Sequence, residues 1–463
     1  MTPAHQSWYA RDARGWTCEA PDGAAAEFHR ALPGYAPTPL IETPTLAAEL
    51  GVGRLFIKDE SARFDLRAFK FLGASWAGFR AVAGRTGYAG PVGLEGLRAH
   101  LASGADATGD GATGDGATGD GALALVTATD GNHGRAVART ARLLGLPARV
   151  YVPKTVPVLV IDRIKAEGAT VTVIDANYDG AVAAARADAE DRGANGAAAS
   201  RAAANGAAAN GGAANGGAGA VLIQDTAWPG YEQIPAWIVA GYETLFAELD
   251  AQLLAAGGDG GDHDGAVVLS VPVGVGSLAQ AAVAHYRSRL AGARSRARLL
   301  SVEPDTAACV LRSLVAGTLV SVPTDATVMN GLNCGTPSSL AWPYLRDGMD
   351  AAVAVTDAEA REAMTALAAA GVSAGPSGAA ALAGARVALT GPDATTRRRD
   401  LGFAGDGTSA ERAIVVCLST EGPLSISARG IRRNMVSLCN QSDSLGNDRA
   451  EVRVDRGADQ GAW

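Results

Sequence analysis

The chain has 463 residues, 48% of them apolar, and a net charge of −8 from 48 acidic and 40 basic side chains. That apolar content fills one large or two ordinary domains and excludes disorder for the bulk of the chain. The acidic balance, with no basic run longer than Arg397, Arg398 and Arg399, excludes a nucleic-acid footprint. The basic residues divide into 36 Arg and four Lys (Lys58, Lys70, Lys154 and Lys165), so each Lys invites inspection. Five Cys, an odd number without a CxxC pair, argue against a disulfide scaffold or a structural zinc site, and no metal is expected. No basic leader precedes an apolar core at the N-terminus, and no apolar run approaches the ~18 residues of a membrane span. The expectation is a soluble cytoplasmic protein that binds neither membrane nor nucleic acid.

In chain order, residues 55–57 read as a short buried strand leading to Lys58-Asp59-Glu60-Ser61 and then to Lys70. Phe69, Phe71 and Leu72 frame Lys70, a setting that favours the neutral, nucleophilic amine; the plainer alternative is a surface Lys on an amphipathic helix. Residues 107–121 are three copies of Ala-Thr-Gly-Asp-Gly, and residues 193–220 are nearly all Ala, Gly and Asn. Neither stretch buries enough side chain to offset its ordering entropy, so 104–121 and 193–220 are expected to be flexible surface insertions.

A strand over 123–127 runs into Thr129-Asp130-Gly131-Asn132-His133-Gly134, a Gly-bracketed turn at the start of a helix. Its free N–H groups suit an anion, with Asp130 and Asn132 toward the same crevice; alternatively Asp130 is an ordinary N-cap. Strands follow over 149–152, 170–174 and 221–224, with Pro157 opening a helix over 158–167 that Gly168 closes. The strand 266–273 leads into Gly274-Val275-Gly276-Ser277 and a further helix, a phosphate-type turn lacking the third Gly of a dinucleotide fingerprint and the Lys of a P-loop. Strands at 299–302 and 414–418, and a capping box from Thr356 to Glu359, complete the pattern. Apolar strands alternating with helices give an α/β fold in two lobes, each a mostly parallel twisted sheet flanked by helices. Ligands bind such folds beyond the strands' carboxyl ends.

A lone amine, a Gly-Asn turn and a Gly-rich phosphate turn, each at a strand end, are together the parts of a pyridoxal 5'-phosphate (PLP) site. At these residues the chain resembles the fold-type II PLP enzymes. Lys70 in AFKFLGAS is similar to their cofactor-bearing lysine motif, TDGNHG to their Ser-Ser-Gly-Asn-His turn, VPVGVGSLA to their phosphate loop, and SVEPDTAAC to the strand and helix that follow. Asp130 in place of Ser, with KDESARF, QDTAWPGY, GLNCGTPSSLAW and STEGP, resembles the diaminopropionate ammonia-lyases within that group. The resemblance covers residues 28–425 apart from the insertions. It departs from the group in having Gly-Val-Gly-Ser where four glycines are usual.

The resemblance implies a large PLP-binding domain from 1–84 and 228–463, a small domain from 85–227, and a homodimer. It implies elimination from 2,3-diaminopropionate, in both enantiomers, to pyruvate and two ammonia. Lys70, Asp130 and Asp225 are the implied catalytic residues, the carboxylates matching the substrate's second ammonium. Gly274, Val275, Gly276 and Ser277 would cradle the phosphate, Asn132 the phenolic oxygen, and Ser419 or Thr420 the pyridine nitrogen, with Ser377 and Gly378 nearby. Cys309 and Cys334 fall in matched motifs, as two buried thiols or, alternatively, a bridge. Competing readings are a serine/threonine dehydratase-type lyase on the same scaffold and a non-catalytic PLP-binding protein.

Overall fold

The computed structural model describes residues 7–10, 12–103, 123–204, 219–257, 266–292, 297–391, 393–403 and 412–423. Its strands are β1 (Ser7–Tyr9), β2 (Leu40–Glu42), β3 (Arg54–Asp59), β4 (Ala124–Ala128), β5 (Ala148–Pro153), β6 (Thr170–Ile174), β7 (Ala220–Leu222), β8 (Val267–Pro272), β9 (Arg298–Pro304), β10 (Ala351–Val355) and β11 (Ile414–Ser419). The first helices are α1 (Ala24–Arg30), α2 (Pro44–Leu50), α3 (Lys70–Arg85), α4 (Leu94–Ala102), α5 (Asn132–Leu144), α6 (Val158–Lys165) and α7 (Tyr178–Ala204). They are followed by α8 (Gln233–Ala255), α9 (Ser277–Tyr286), α10 (Cys309–Ala316), α11 (Trp342–Gly348), α12 (Asp357–Ala369), α13 (Pro376–Leu389) and α14 (Ala394–Asp400).

The strands form a seven-stranded sheet, ordered β1-β10-β9-β8-β11-β3-β2, and a four-stranded sheet, ordered β6-β5-β4-β7. Pairing is parallel except for β1 and β2, which join the edges of the larger sheet antiparallel. β4, β10 and β11 are buried along their whole length, which is why their sequences are continuous apolar runs, whereas β6 at a sheet edge is half exposed. The smaller sheet uses only residues between 124 and 222, and both sheets lie in one compact unit, Met1–Gly422.

Between the sheets α3 crosses α8 at a contact only glycine permits. A Cβ on Gly73 would stand 2.6 Å from Tyr242 Cε1, and one on Gly241 would stand 2.4 Å from the Leu72 carbonyl oxygen. The apolar core runs continuously through this crossing, from Leu125 and Val150 to Leu269 and Val271. Beside it lies a buried ionic cluster in which Glu248 of α8 accepts from Lys58 (2.8 Å) and from Arg63 Nη1 and Nη2 (2.6 and 2.8 Å). Glu60 accepts from Arg63 at 2.8 Å on each oxygen. All four ions are buried.

The expected strands are present, with 221–224 displaced to Ala220–Leu222, so that Gln224 and Asp225 belong to the turn. The capping box at Thr356 forms in both directions, and Pro157 caps α6. Two departures are instructive. α7 runs through 193–204, inside the stretch expected to be an unstructured insertion, because Ala is the best helix former and outweighs the interspersed Gly and Asn. β10, with the sequence Ala-Ala-Val-Ala-Val, and the three-residue edge strands β1 and β2 carry too few β-branched residues to register as strands. Residues 104–121 and 205–218 lie outside the described residues.

Candidate active site

Five turns at the carboxyl ends of parallel strands converge between the sheets. After β3 the chain makes a 3₁₀ segment (Glu60–Asp65) and reaches α3, whose first residue is Lys70. Phe64, Asp65 and Arg67 adopt left-handed backbone angles (φ 48°, 58° and 65°), a conformation costly for residues with side chains. The turn is held from both sides. Arg63 anchors it in the ionic cluster, while the Arg67 carbonyl accepts from Gly422 N (2.9 Å) and Phe69 N donates to the Thr420 carbonyl (3.3 Å).

Lys70 Nζ donates to Asp225 Oδ2 at 2.5 Å. Burial alone would favour the neutral amine, but Asp225 outweighs it and holds Lys70 well above the ordinary lysine value. This corrects the expectation drawn from the apolar neighbours: without a cofactor the amine is an ammonium, because a carboxylate the local sequence cannot reveal sits against it. For Asp225, burial pushes upward, but the Lys70 ammonium beside it dominates, leaving it firmly ionised. Burial and the nearby Asp225, against Lys70, push Asp130 up to about 6.

Asp130 is not an N-cap. Thr129 Oγ1 takes that part, accepting from Gly131 N (2.9 Å) and Gly134 N (3.0 Å), so Asp130 is free to face the crevice. Asn132 opens α5, and its Nδ2 donates to Glu421 Oε2 at 2.5 Å. Glu421 Oε1 accepts from Ser377 N at 3.2 Å, linking the smaller sheet's α5 to α13 and the β11 exit. Gln224 is a buried hub: its Oε1 accepts from Ala128 N (3.0 Å) and its Nε2 donates to Tyr178 Oη (2.7 Å).

The Gly274-Val275-Gly276-Ser277 turn leads into α9, whose first N–H groups have no partner within the helix. Gly276 has φ 101°, and a Cβ there would strike Leu345 Cδ1 at 2.7 Å; a Cβ on Gly274 would lie 3.0 Å from Cys334 Sγ. Ser277 Oγ is already committed to the Asp225 carbonyl (2.9 Å), so only its N–H is left for a phosphate. At the end of β11, Ser419 Oγ is buried without a partner among the described residues, and Thr420 is buried beside it. Cys309 and Cys334 are free thiols near Gly274.

These residues fit PLP: an amine at a helix start, an anion-binding helix N-terminus with glycines where side chains would clash, and an orphaned hydroxyl at a strand end. Several neighbours were not singled out from sequence. His133 and Glu421 stand inside matched motifs, next to the residues that drew attention. Tyr178 and Tyr242 lie in helices where no turn or spacing marks them.

The arrangement has relatives. Residues 31–396 match the model of the pyridoxal-phosphate dependent enzymes. Diaminopropionate ammonia-lyase of Salmonella typhimurium is 35% identical over 340 residues, 73% of each chain, and that of Escherichia coli K12 is 33% identical over 326 residues, 70% of this chain and 69% of its own. The crystal structure of the Escherichia coli enzyme with D-serine superposes with a TM-score of 0.70 at 29% identity, covering 91% of this chain and 95% of that one. On the strength of the matched span and these identities, the chain belongs to the family of pyridoxal-phosphate dependent enzymes.

Proposed function

We propose that the protein is a PLP-dependent carbon–nitrogen lyase that converts 2,3-diaminopropionate and one water to pyruvate and two ammonia. The observation that carries this reading is the pair of carboxylates, Asp130 and Asp225, gathered around the Lys70 amine. A serine or threonine substrate carries one ammonium; diaminopropionate carries two, and the second carboxylate matches the second charge. A structure of the Escherichia coli relative with an aminoacrylate-PLP azomethine reaction intermediate supports an elimination.

Lys70 would carry the cofactor, the Gly274–Ser277 turn its phosphate, Asn132 its phenolic oxygen and Ser419 its ring nitrogen. Of the two hydroxyls, Ser419 is favoured because its Oγ is fully buried and unpartnered among the described residues. When bound, PLP supplies an electron sink for the charge left at the substrate Cα when its proton departs. Lys70, once released, accepts the Cα proton on one face, with Asp225 steadying the resulting ammonium. Asp130, poised near 6, is ionised at neutral pH and serves as the base on the other face, or as the seat of the departing β-ammonium. Bases on two faces would allow turnover of both enantiomers. Thr129 and Gly131 shape the turn so that its remaining N–H groups meet the substrate carboxylate.

The test is a substrate panel: pyruvate and ammonia released from D- and L-2,3-diaminopropionate, from serine, and 2-oxobutyrate from threonine. The reading requires diaminopropionate to lead the panel with two ammonia per pyruvate. Faster turnover of serine or threonine overturns it in favour of a dehydratase, and inactivity on every amino acid in favour of a non-catalytic PLP protein.

A further inference from the structure

His133 is the second residue of α5 and is 4% exposed. Its Nε2 lies 2.8 Å from the Ile223 carbonyl oxygen, which only accepts, so Nε2 carries the ring hydrogen. Nδ1 of the neutral ring is then a bare lone pair. It is buried with no hydrogen-bond partner among the described residues, and Asp225 Oδ2 lies 3.8 Å away. Two acceptors thus face each other in a buried site, an arrangement one proton short of a pairing. The same Asp225 oxygen takes its present hydrogen bond from Lys70.

We infer that Lys70 and His133 are alternative counter-ions of Asp225: when Lys70 gives up its positive charge, His133 Nδ1 takes a proton and replaces it. The proton balance is simple. An N–H bond on Lys70 breaks, one forms on His133 Nδ1, and Asp225 remains a carboxylate throughout. With Lys70 cationic, His133 stays neutral, since burial first and Lys70 with it oppose its charging and outweigh Asp225 and the Ile223 carbonyl, which favour it. With Lys70 neutral, Asp225 would otherwise be a buried anion without a cation, the more costly state. The other titratable groups around Asp225 do not replace His133. Asp130 is an anion, and Tyr178, Tyr242 and Cys334 are neutral groups whose ionisation burial suppresses. His133 is therefore a positioning residue that keeps Asp225 ionised and in place while the lysine amine is neutral. The consequence for catalysis rests on the proposed roles of Lys70 and Asp225; the proton exchange itself does not.

The test is nitrogen NMR on the full chain freed of PLP and labelled in histidine, with the His133 signal assigned by its loss in His133→Gln. The wild-type ring should be neutral at pH 7 with hydrogen on Nε2. In Lys70→Met its pKa should rise by about one to three units, and in Lys70→Met/Asp225→Asn the rise should vanish. Lys70→Ala provides a second background should the Met variant misfold. A His133 titration that is the same with and without Lys70, or a ring protonated on Nδ1 in the wild type, overturns the inference. Both outcomes are independent of lyase activity, so failure here and failure of the proposed reaction are distinguishable.

Discussion

Glu248→Gln offers a stringent test of how the turn before Lys70 is held. The Glu248 carboxylate receives five donors: Lys58 Nζ, Arg63 Nη1 and Nη2, Tyr35 Oη at 2.9 Å and Thr38 N at 3.2 Å. Two buried cations, Lys58 and Arg63, are balanced by two buried anions, Glu60 and Glu248. The amide leaves one buried positive charge uncompensated and turns an NH₂ toward a set of donors. Breaking a buried pair in this way costs about 3–5 kcal/mol, a large part of a domain's net stability. Urea unfolding of wild type and variant measures it, and Lys58→Met/Glu248→Gln, which restores neutrality, should recover at least about 1 kcal/mol of the loss. The sign of the acid dependence also follows. Burial opposes ionisation of Glu248, but Arg63 and Lys58 hold it down at about 2, below the ~4.3 of an unfolded Glu. Its contribution is therefore complete above about pH 4.3 and is lost only as pH falls through about 2. Because Arg63 anchors the strained turn before Lys70, PLP retention should weaken along with stability. A loss below about 1 kcal/mol would show that the cluster is hydrated in solution and would refute the reasoning.

Other consequences are sharper at the site itself. Asp130→Asn should lower turnover of at least one diaminopropionate enantiomer by about 10²–10⁴-fold and abolish the rise in wild-type rate as pH passes through about 6, read from a pH–rate profile. Gly276→Ala, which needs φ 101° and meets Leu345, should cost about 1–3 kcal/mol and speed PLP loss on dialysis. Ser419→Ala should leave the PLP-free chain as stable or more so, because the hydroxyl it removes is unpartnered, yet weaken PLP binding by about 1 kcal/mol in a cofactor titration; Thr420→Ser should change neither.

Much of this architecture was legible because parallel strands buried on both faces are written as apolar runs. The runs at 123–127 and 414–418 correspond to β4 and β11 to within a residue, and the Thr356 capping box is a local code read locally. The Ala-rich β10 and the edge strands β1 and β2 escaped, since a strand of small residues is specified by its neighbours in the sheet. At the site, turn motifs brought out Lys70, Asp130, Asn132 and Gly274–Ser277. The charge state of Lys70 could not be read that way, because it is set by Asp225, 155 residues distant. Pairings of this kind, Asn132 with Glu421 and Gln224 with Tyr178 among them, arise from tertiary packing of separate turns and leave no trace in spacing.

The most direct measurement is the identity of the lysine that carries the cofactor. Borohydride reduction of the PLP-loaded chain followed by peptide mapping decides among four candidates, Lys58, Lys70, Lys154 and Lys165. Lys58 is locked in the ionic cluster, and Lys154 pairs with Asp175 on the surface. Phosphopyridoxyl label is expected on Lys70 alone, with none in Lys70→Ala. Label on any other lysine, or cofactor retained unchanged in Lys70→Ala, would contradict that expectation.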